Sequence, residues 1–186
     1  PLRRQRQMCI RDRSGAKPKR TILFIGFAGE EFGLLGAQAW VKAHKDKLPK
    51  IANLFNRDGG PEPPVGISVP QAMYDDFVKI SEPIQKIRPD YPFEVKVREP
   101  RKRPTRMGGT DASVFAIEGV PTLGFTTEDF KGYDFDYGEI WHTERDLYTK
   151  NIPEYQEHTA TVTAIIALGV ANLDKQLSRE GLYTEE

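Results

Sequence analysis

Cysteine is nearly absent from this chain, which has a single one, Cys9, among 186 residues. A lone cysteine excludes an internal disulfide framework and leaves the redox compartment unassigned. No apolar run approaches the roughly 20 residues that span a bilayer, so the sequence predicts no transmembrane helix. Net charge is also absent, because 27 basic residues balance 27 acidic ones. The length suits one domain.

Positive charge is concentrated in residues 1–20, where many lysines and arginines face Asp12 as the only acid. The rest of the chain is therefore acidic, which argues against nucleic-acid binding by the folded part. Residues 1–20 could be a basic arm for nucleic acid or an anionic membrane, a solvated tail, or foreign sequence. We favour foreign or disordered sequence, because 7–13 resembles translated adapter sequence, and we exclude 1–20 from fold reasoning.

The most informative local feature is the acidic pair Glu30-Glu31. It follows an apolar, β-branched run at 21–27 that predicts a strand buried on both faces, and it precedes a predicted helix at 32–44. Open α/β sheets bind their ligands at the carboxyl ends of such strands. One carboxylate could then bind a metal while the other takes a proton from water. The alternative is an acidic first helical turn, which the helix dipole favours.

The remaining sequence alternates strand-like and helix-like segments, which is typical of an α/β fold. An apolar stripe predicts an amphipathic helix at 73–87, and Pro153 suits the first turn of a terminal helix. The basic segment 98–106 is broken by proline and predicts a loop, either an anion-binding rim or a solvated run. The predicted strands are 51–57, 65–69, 93–97 and 120–125, the helices are 73–87, 111–118 and 153–173, and a long loop occupies 126–140.

Three further segments follow the acidic pair in a fixed order: Asp58-Gly59-Gly60, Gly108-Gly109-Thr110-Asp111, and Trp141-His142-Thr143-Glu144-Arg145-Asp146. Together with Glu30-Glu31 they resemble the motifs of the M28 zinc exopeptidases, and the Asp-Gly-Gly form resembles the carboxypeptidase Q-like branch. The resemblance covers about 21–173. It implies an α/β, three-layer zinc-exopeptidase fold of the phosphorylase/hydrolase-like type, with a mixed central sheet flanked by helices.

The resemblance also implies roles for individual side chains. Glu30 is expected to be the general base, Glu31 and His142 to bind one zinc ion, and Asp58 to bind a second. Asp111 is expected to contact the substrate amino group or to support the metal ligands, and its alternative role is a helix N-cap. Carboxylate oxygen and imidazole nitrogen are donors that zinc accepts, and catalytic zinc sites keep one position open for water.

One motif of that family has no counterpart here. Its members carry a His-x-Asp segment before the Glu-Glu strand, whereas the histidines of this chain, His44, His142 and His158, all follow Glu31. We therefore expect the carboxyl-terminal part of a catalytic domain at 21–176, with its amino-terminal part missing, and a polar tail at 177–186. Such a part would hold each zinc with too few ligands for firm binding.

Two other residues have a functional and a structural interpretation. Asp146 could hold a ligand or a loop as a hydrogen-bond partner, although a plain turn residue is the simpler interpretation. His158 shares helical spacing with Val162 and Ile166, so we expect a packed helix residue and not a metal ligand.

The resemblance implies a zinc-dependent exopeptidase that hydrolyses a terminal peptide bond of peptides or dipeptides, with two zinc ions in the complete enzyme. Its partner would be a peptide substrate, and the family favours a secreted or periplasmic location. A glutaminyl cyclase-like one-zinc acyltransferase and a non-catalytic receptor or scaffold domain remain as alternatives. The residues do not distinguish attack at the amino terminus of a peptide from attack at its carboxyl terminus.

Overall fold

Three strands form a small mixed sheet in the computed structural model, which describes residues 15–184. β1 (Pro64–Val69) lies between β2 (Glu94–Val97) and β3 (Phe125–Thr127). β1 pairs in parallel with β2, with Gly66 opposite Glu94, and antiparallel with β3, with Ile67 opposite Phe125. The prediction of an α/β fold with a mixed sheet is confirmed at this level.

Within residues 15–184 the chain forms five α-helices. They are α1 (Leu35–Ala43), α2 (Tyr74–Ile87), α3 (Asp111–Ile117), α4 (Tyr137–Ile140) and α5 (Pro153–Asn172), and 3-10 turns occupy Lys45–Lys50, Gln71–Met73 and Tyr148–Lys150. α5 begins with Pro153 at its first positions, as predicted. No helix in this part of the chain has the length and apolar character needed to cross a bilayer.

The main core lies where α2 and α5 pack on the sheet. The predicted stripe of α2 is buried at Phe77 and Ile84, although Ile87 at the end of the stripe is 56% exposed. The two helices approach closely at Gly169, where an added Cβ would lie 2.3 Å from Ile80 Cγ2. A smaller cluster packs α1 against α3 and contains Leu34, Ala37, Val41, Leu48, Val114, Phe115 and Val120.

Three of the predicted strands are wrong in whole or in part. Residues 21–27 and 51–57 belong to none of the three strands, and of 120–125 only Phe125 does. The side chains of Leu23 and Phe24 are 56% and 64% exposed, so the predicted burial of 21–27 is also wrong. An apolar run becomes a strand only when a neighbouring strand accepts its backbone hydrogen bonds, and the described residues give 21–27 no such neighbour.

Both ends of the described chain contact the core region. Arg20 N–H donates to Ala171 O (3.1 Å), and Lys19 N–H donates to Asn172 Oδ1 (3.1 Å). At the other end Leu177 and Leu182 are buried in the main core, which the prediction of a polar tail at 177–186 did not anticipate. The prediction for residues 1–14 lies outside the described residues.

Candidate metal and catalytic site

Glu30 and Glu31 lie in a turn between the extended segment 21–27 and α1. The carbonyl oxygen of Glu30 accepts hydrogen bonds from Gly33 N–H (3.0 Å) and Leu34 N–H (2.8 Å). Gly33 and Leu34 have positive φ, 102° and 60°, which closes the turn before α1 begins at Leu35. Neither carboxylate therefore belongs to the first turn of α1. This excludes the interpretation of Glu30-Glu31 as an acidic first helical turn.

His142 and Glu31 are in contact, although about 110 residues separate them in the chain. His142 Nε2 lies 3.2 Å from Glu31 Oε1, and both side chains are more than half exposed. His142 follows α4 with φ 55°, a left-handed conformation that is uncommon for residues other than glycine. The hydroxyl of Thr143 donates to Glu139 O (2.7 Å) and fixes the end of α4 beside it. The structure thus brings together the two residues predicted to share a zinc ion.

Asp58 follows the segment 51–57, which lies beside 120–124 without forming a regular ladder. Leu54 N–H donates to Pro121 O (2.9 Å). The amide side chain of Asn53 accepts from Leu123 N–H (2.8 Å) and donates to Leu123 O (3.2 Å). The two segments are thus joined partly by backbone and partly by the Asn53 side chain, and Asp58 follows at the edge of the cleft.

Asp111 is the first residue of α3, and Thr110 occupies the N-cap position. The N-cap interpretation of Asp111 is therefore wrong. One of its carboxylate oxygens, Oδ1, is buried and has no hydrogen-bond partner among residues 15–184. Partial burial raises the pKa of Asp111, and the charge of Asp58 raises it further. The two carboxylates are thus close enough to interact.

Electrostatics link Glu30 to the same group of residues. Reduced solvation raises the pKa of Glu30 above its ordinary value, and the charges of Asp58, Glu31 and Asp111 raise it further, while His142 opposes the shift. A carboxylate with a raised pKa accepts a proton more readily near neutral pH. The charges that act on Glu30 thus come from the same residues that surround Glu31 and Asp58.

An open cleft of about 1350 Å³ is lined by Glu30, Glu31, Asp58 and His142, whereas Asp111 is not among its lining residues. Its lining also includes Asp146, whose backbone N–H donates to Thr143 O (3.3 Å) in the turn after His142. The predicted catalytic and metal-binding residues that line the cleft are Glu30, Glu31, Asp58 and His142, and cleft-lining residues that the sequence reasoning missed include Arg57, Thr110, Tyr137 and Lys150. Lys150 lies 2.7 Å from Glu139 Oε2, a pairing that the sequence does not reveal.

The donors present fit zinc in kind but not in number. A catalytic zinc site normally takes three protein ligands. Glu31 and His142 supply one carboxylate oxygen and one imidazole nitrogen, yet no group of three His, Cys, Asp or Glu residues within 15–184 is arranged to hold a metal ion. The described residues therefore do not complete a metal site.

His158 does not line this cleft and lies in the core, as predicted for a packed helix residue. It is fully buried on α5, its Nε2 lies 3.0 Å from Pro64 O, and its ring stacks on Tyr91 with centroids 3.8 Å apart. Burial lowers the pKa of its imidazole. These contacts assign His158 to packing.

Known proteins resemble this chain in sequence and in fold. Carboxypeptidase Q from Mus musculus is 24% identical over 170 residues, which cover 89% of this chain and 32% of that protein. A probable zinc metalloprotease from Pyrenophora tritici-repentis is 50% identical over 42 residues, covering 23% of this chain and 10% of that protein. The crystal structure of a peptidase M28 precursor from Shewanella amazonensis SB2B matches with a TM-score of 0.65 at 26% identity.

The extent of these matches defines what they establish. The Shewanella match covers 87% of this chain and 34% of that one. The chain thus spans about a third of the length of carboxypeptidase Q and of the solved relative. The sequence model of peptidase family M28 matches residues 8–166, which include the acidic pair, Asp58, Asp111 and the His142 segment. This chain belongs to peptidase family M28.

Proposed function

We propose that this chain carries the general base and several metal ligands of a zinc-dependent exopeptidase that hydrolyses a terminal peptide bond of peptides or dipeptides. The observation that carries the proposal is the contact between His142 Nε2 and Glu31 Oε1 at 3.2 Å, beside Glu30 in an open cleft. The similarity to proteins named carboxypeptidase Q and probable zinc metalloprotease supports it.

In this proposal Glu31 and His142 hold one zinc ion and Asp58 holds a second. Bound zinc would lower the pKa of a coordinated water to about 7. Because the described residues supply only one contacting pair of donors, the proposal requires further ligands from outside them. The His-x-Asp segment of the family resemblance is the kind of sequence that would provide such ligands.

Glu30 has the role of general base. Its carboxylate takes a proton from the water that attacks the peptide carbonyl carbon, and it returns that proton to the amine as the carbon–nitrogen bond breaks. The raised pKa of Glu30 favours the first of these transfers. Asp111 interacts with Asp58 but does not line the cleft, and its unpartnered Oδ1 is buried, so the proposal assigns Asp111 to support of the metal ligands and not to contact with the substrate.

The proposal is tested in a protein that joins a His-x-Asp segment to this chain. We expect Glu30→Gln to retain zinc and to lose hydrolysis of a dipeptide panel by about 10²- to 10⁴-fold, because an amide cannot accept the proton. Glu31→Ala and His142→Ala should lose zinc itself, measured by atomic absorption. Glu144→Gln makes the same chemical change as Glu30→Gln outside the cleft lining and should retain both properties.

Other outcomes identify the alternatives. Full turnover by the Glu30→Gln protein would place the base elsewhere. Release of ammonia from a peptide with amino-terminal glutamine, without dipeptide hydrolysis, would indicate a glutaminyl cyclase-like acyltransferase. Firm zinc binding with neither reaction would favour a receptor or scaffold domain.

A further inference from the structure

The long loop between β3 and α4 is ordered by one carboxylate. Asp129 accepts hydrogen bonds from the backbone N–H groups of Tyr133 (3.0 Å) and Phe135 (3.3 Å), and from the hydroxyl of Tyr155 on α5 (2.5 Å). These bonds lower the pKa of Asp129, the Tyr155 bond most of all. The loop segment 129–137 is therefore folded on itself and attached to α5.

A second carboxylate attaches the same loop to the first turn of α5. Glu154 accepts from the hydroxyls of Tyr133 (2.6 Å) and Tyr91 (2.9 Å), and it pairs with the ammonium group of Lys131. These partners lower the pKa of Glu154 to about 2, so it is charged throughout the neutral range. Lys131 and Tyr133 of the loop and Tyr91 of the core thus all contact the Glu154 carboxylate.

The far end of the 129–137 loop packs against the turn that carries Asp58. A Cβ added at Gly60 would lie 2.6 Å from Phe135 Cζ and 3.1 Å from Tyr137 Cδ2. The distance to Phe135 is shorter than a van der Waals contact, so an alanine at position 60 requires the rings to shift. Gly60 does not have positive φ, so the constraint on position 60 comes from contact with the rings and not from backbone conformation.

The Asp58 turn is held from its other side by Arg57. Its guanidinium donates to the carbonyl oxygens of Gly60 and Glu62. Gly59, next to Asp58, has no atom within 4 Å of an added Cβ. Gly59 therefore has open space around it, whereas Gly60 is held between Arg57 and the rings of Phe135 and Tyr137.

The same loop continues into α4 and so leads directly to His142. We infer that the 129–137 loop positions the Asp58 turn relative to the Glu31–His142 pair, with Phe135 and Tyr137 as positioning residues and with Asp129 and Glu154 fixing the loop. This inference rests on the proposed function in one respect, because the spacing matters through the roles proposed for Asp58 and His142.

The first test compares two neighbouring glycines in the full chain by nuclear magnetic resonance. Gly60→Ala should shift the backbone amide signals of Arg57 and Asp58 and lower the urea midpoint of unfolding. Gly59→Ala, the matched control, should leave the Arg57 signal and the urea midpoint unchanged. Adding Phe135→Ala to Gly60→Ala should restore the signals of Arg57 and Asp58 to their positions in Phe135→Ala alone. Equal behaviour of the two glycine variants, or no restoration, would overturn the inference.

The second test separates positioning from local stability. Glu154→Gln should speed hydrogen exchange of the Tyr133 and Phe135 amides by about tenfold, the size of one charged hydrogen bond, and should also shift the Asp58 amide signal. Glu157→Gln is the control. Glu157 lies on the same helix, and its exposed carboxylate contacts Arg88. This variant should change neither the hydrogen exchange of the Tyr133 and Phe135 amides nor the Asp58 signal. If exchange becomes faster but the Asp58 signal does not move, Glu154 stabilises only the loop itself, and the positioning role is refuted. Neither test measures zinc binding or turnover. Failure of this inference can therefore be distinguished from failure of the proposed hydrolysis.

Discussion

Two apolar segments of this chain, β1 and residues 21–27, lie in opposite environments. In β1, Ile67 and Val69 are almost fully buried, with a paired strand on each side and helices packed against the sheet. In 21–27, Leu23, Phe24 and Ile25 are exposed, and the described residues provide no paired strand. The difference shows that burial in this fold follows from strand pairing and helix cover, and not from apolar composition alone.

The largest effect should come from removing a core side chain of the paired region. Phe77 is fully buried on α2, so Phe77→Ala should lower the free energy of unfolding by about 3–5 kcal/mol. Phe24→Ala removes the same ring from the exposed segment and should change that free energy by less than about 0.5 kcal/mol. Urea unfolding followed by circular dichroism measures both values. Similar losses in the two variants would mean that 21–27 is buried in solution.

A smaller effect should come from the buried histidine of the paired region. Burial lowers the pKa of His158, and Arg88 and Lys131 oppose its protonation, although the Pro64 carbonyl and Asp90 favour it. A lowered pKa in the folded state means that stability is complete above the unfolded value of about 6.5 and falls as the pH drops below it.

The measurement is the free energy of unfolding between about pH 7.5 and pH 5 in the wild-type protein and in His158→Gln. The change toward pH 5 should be less favourable in the wild-type protein than in His158→Gln, because the raised pKa values of Glu30 and Asp111 contribute equally to both. Equal pH dependence of the two proteins would contradict the lowered pKa of His158. The Glu154 carboxylate, with its pKa of about 2, contributes only as the pH falls below its ordinary value of 4.5.

The smallest effect on stability should come from a substitution in the exposed segment 21–27, and the same substitution should clearly reduce self-association. Unpaired apolar extended segments are templates for pairing with other chains. Phe24→Lys should therefore reduce concentration-dependent association, measured by sedimentation velocity, while the free energy of unfolding changes by less than about 0.5 kcal/mol. Leu147→Lys is the matched control, since Leu147 is 56% exposed at the cleft. Equal improvement by both variants would assign the association to general hydrophobicity.

The sequence predicted best those elements whose signals are local. The stripe of α2, the proline that begins α5 and the alternation around β2 each lie within one segment, and the structure contains all three elements. Strands at 21–27 and 51–57 were wrong because strand formation depends on a partner elsewhere in the chain. In 51–57 the Asn53 side chain makes two of the hydrogen bonds to 120–124, and residue patterns carry no signal of such side-chain pairing.

The candidate site shows the same limit. The motif order predicted that Glu31, Asp58 and His142 would converge. Glu31 and His142 lie 3.2 Å apart, but no group of three such residues within 15–184 is arranged to hold a metal ion. Their roles, and that of Asp58, stay predictions. The Asp129 and Glu154 networks were missed because hydrogen bonds between side chains about 25 residues apart leave no periodic trace. The sequence signal for the Asp129 network is the aspartate itself, which stands near the start of a loop that contains aromatic residues and glycine.

The contact between Glu31 and His142 also has a consequence for folding kinetics. It closes a loop of about 110 residues, and the entropy of closing so long a loop must be recovered by the intervening core before the contact is stable. Both side chains are exposed, so the contact contributes little to that recovery. We therefore expect it to form late, after α2, α5 and the sheet have assembled. A probe placed at Glu31 and His142 would report the completion of folding.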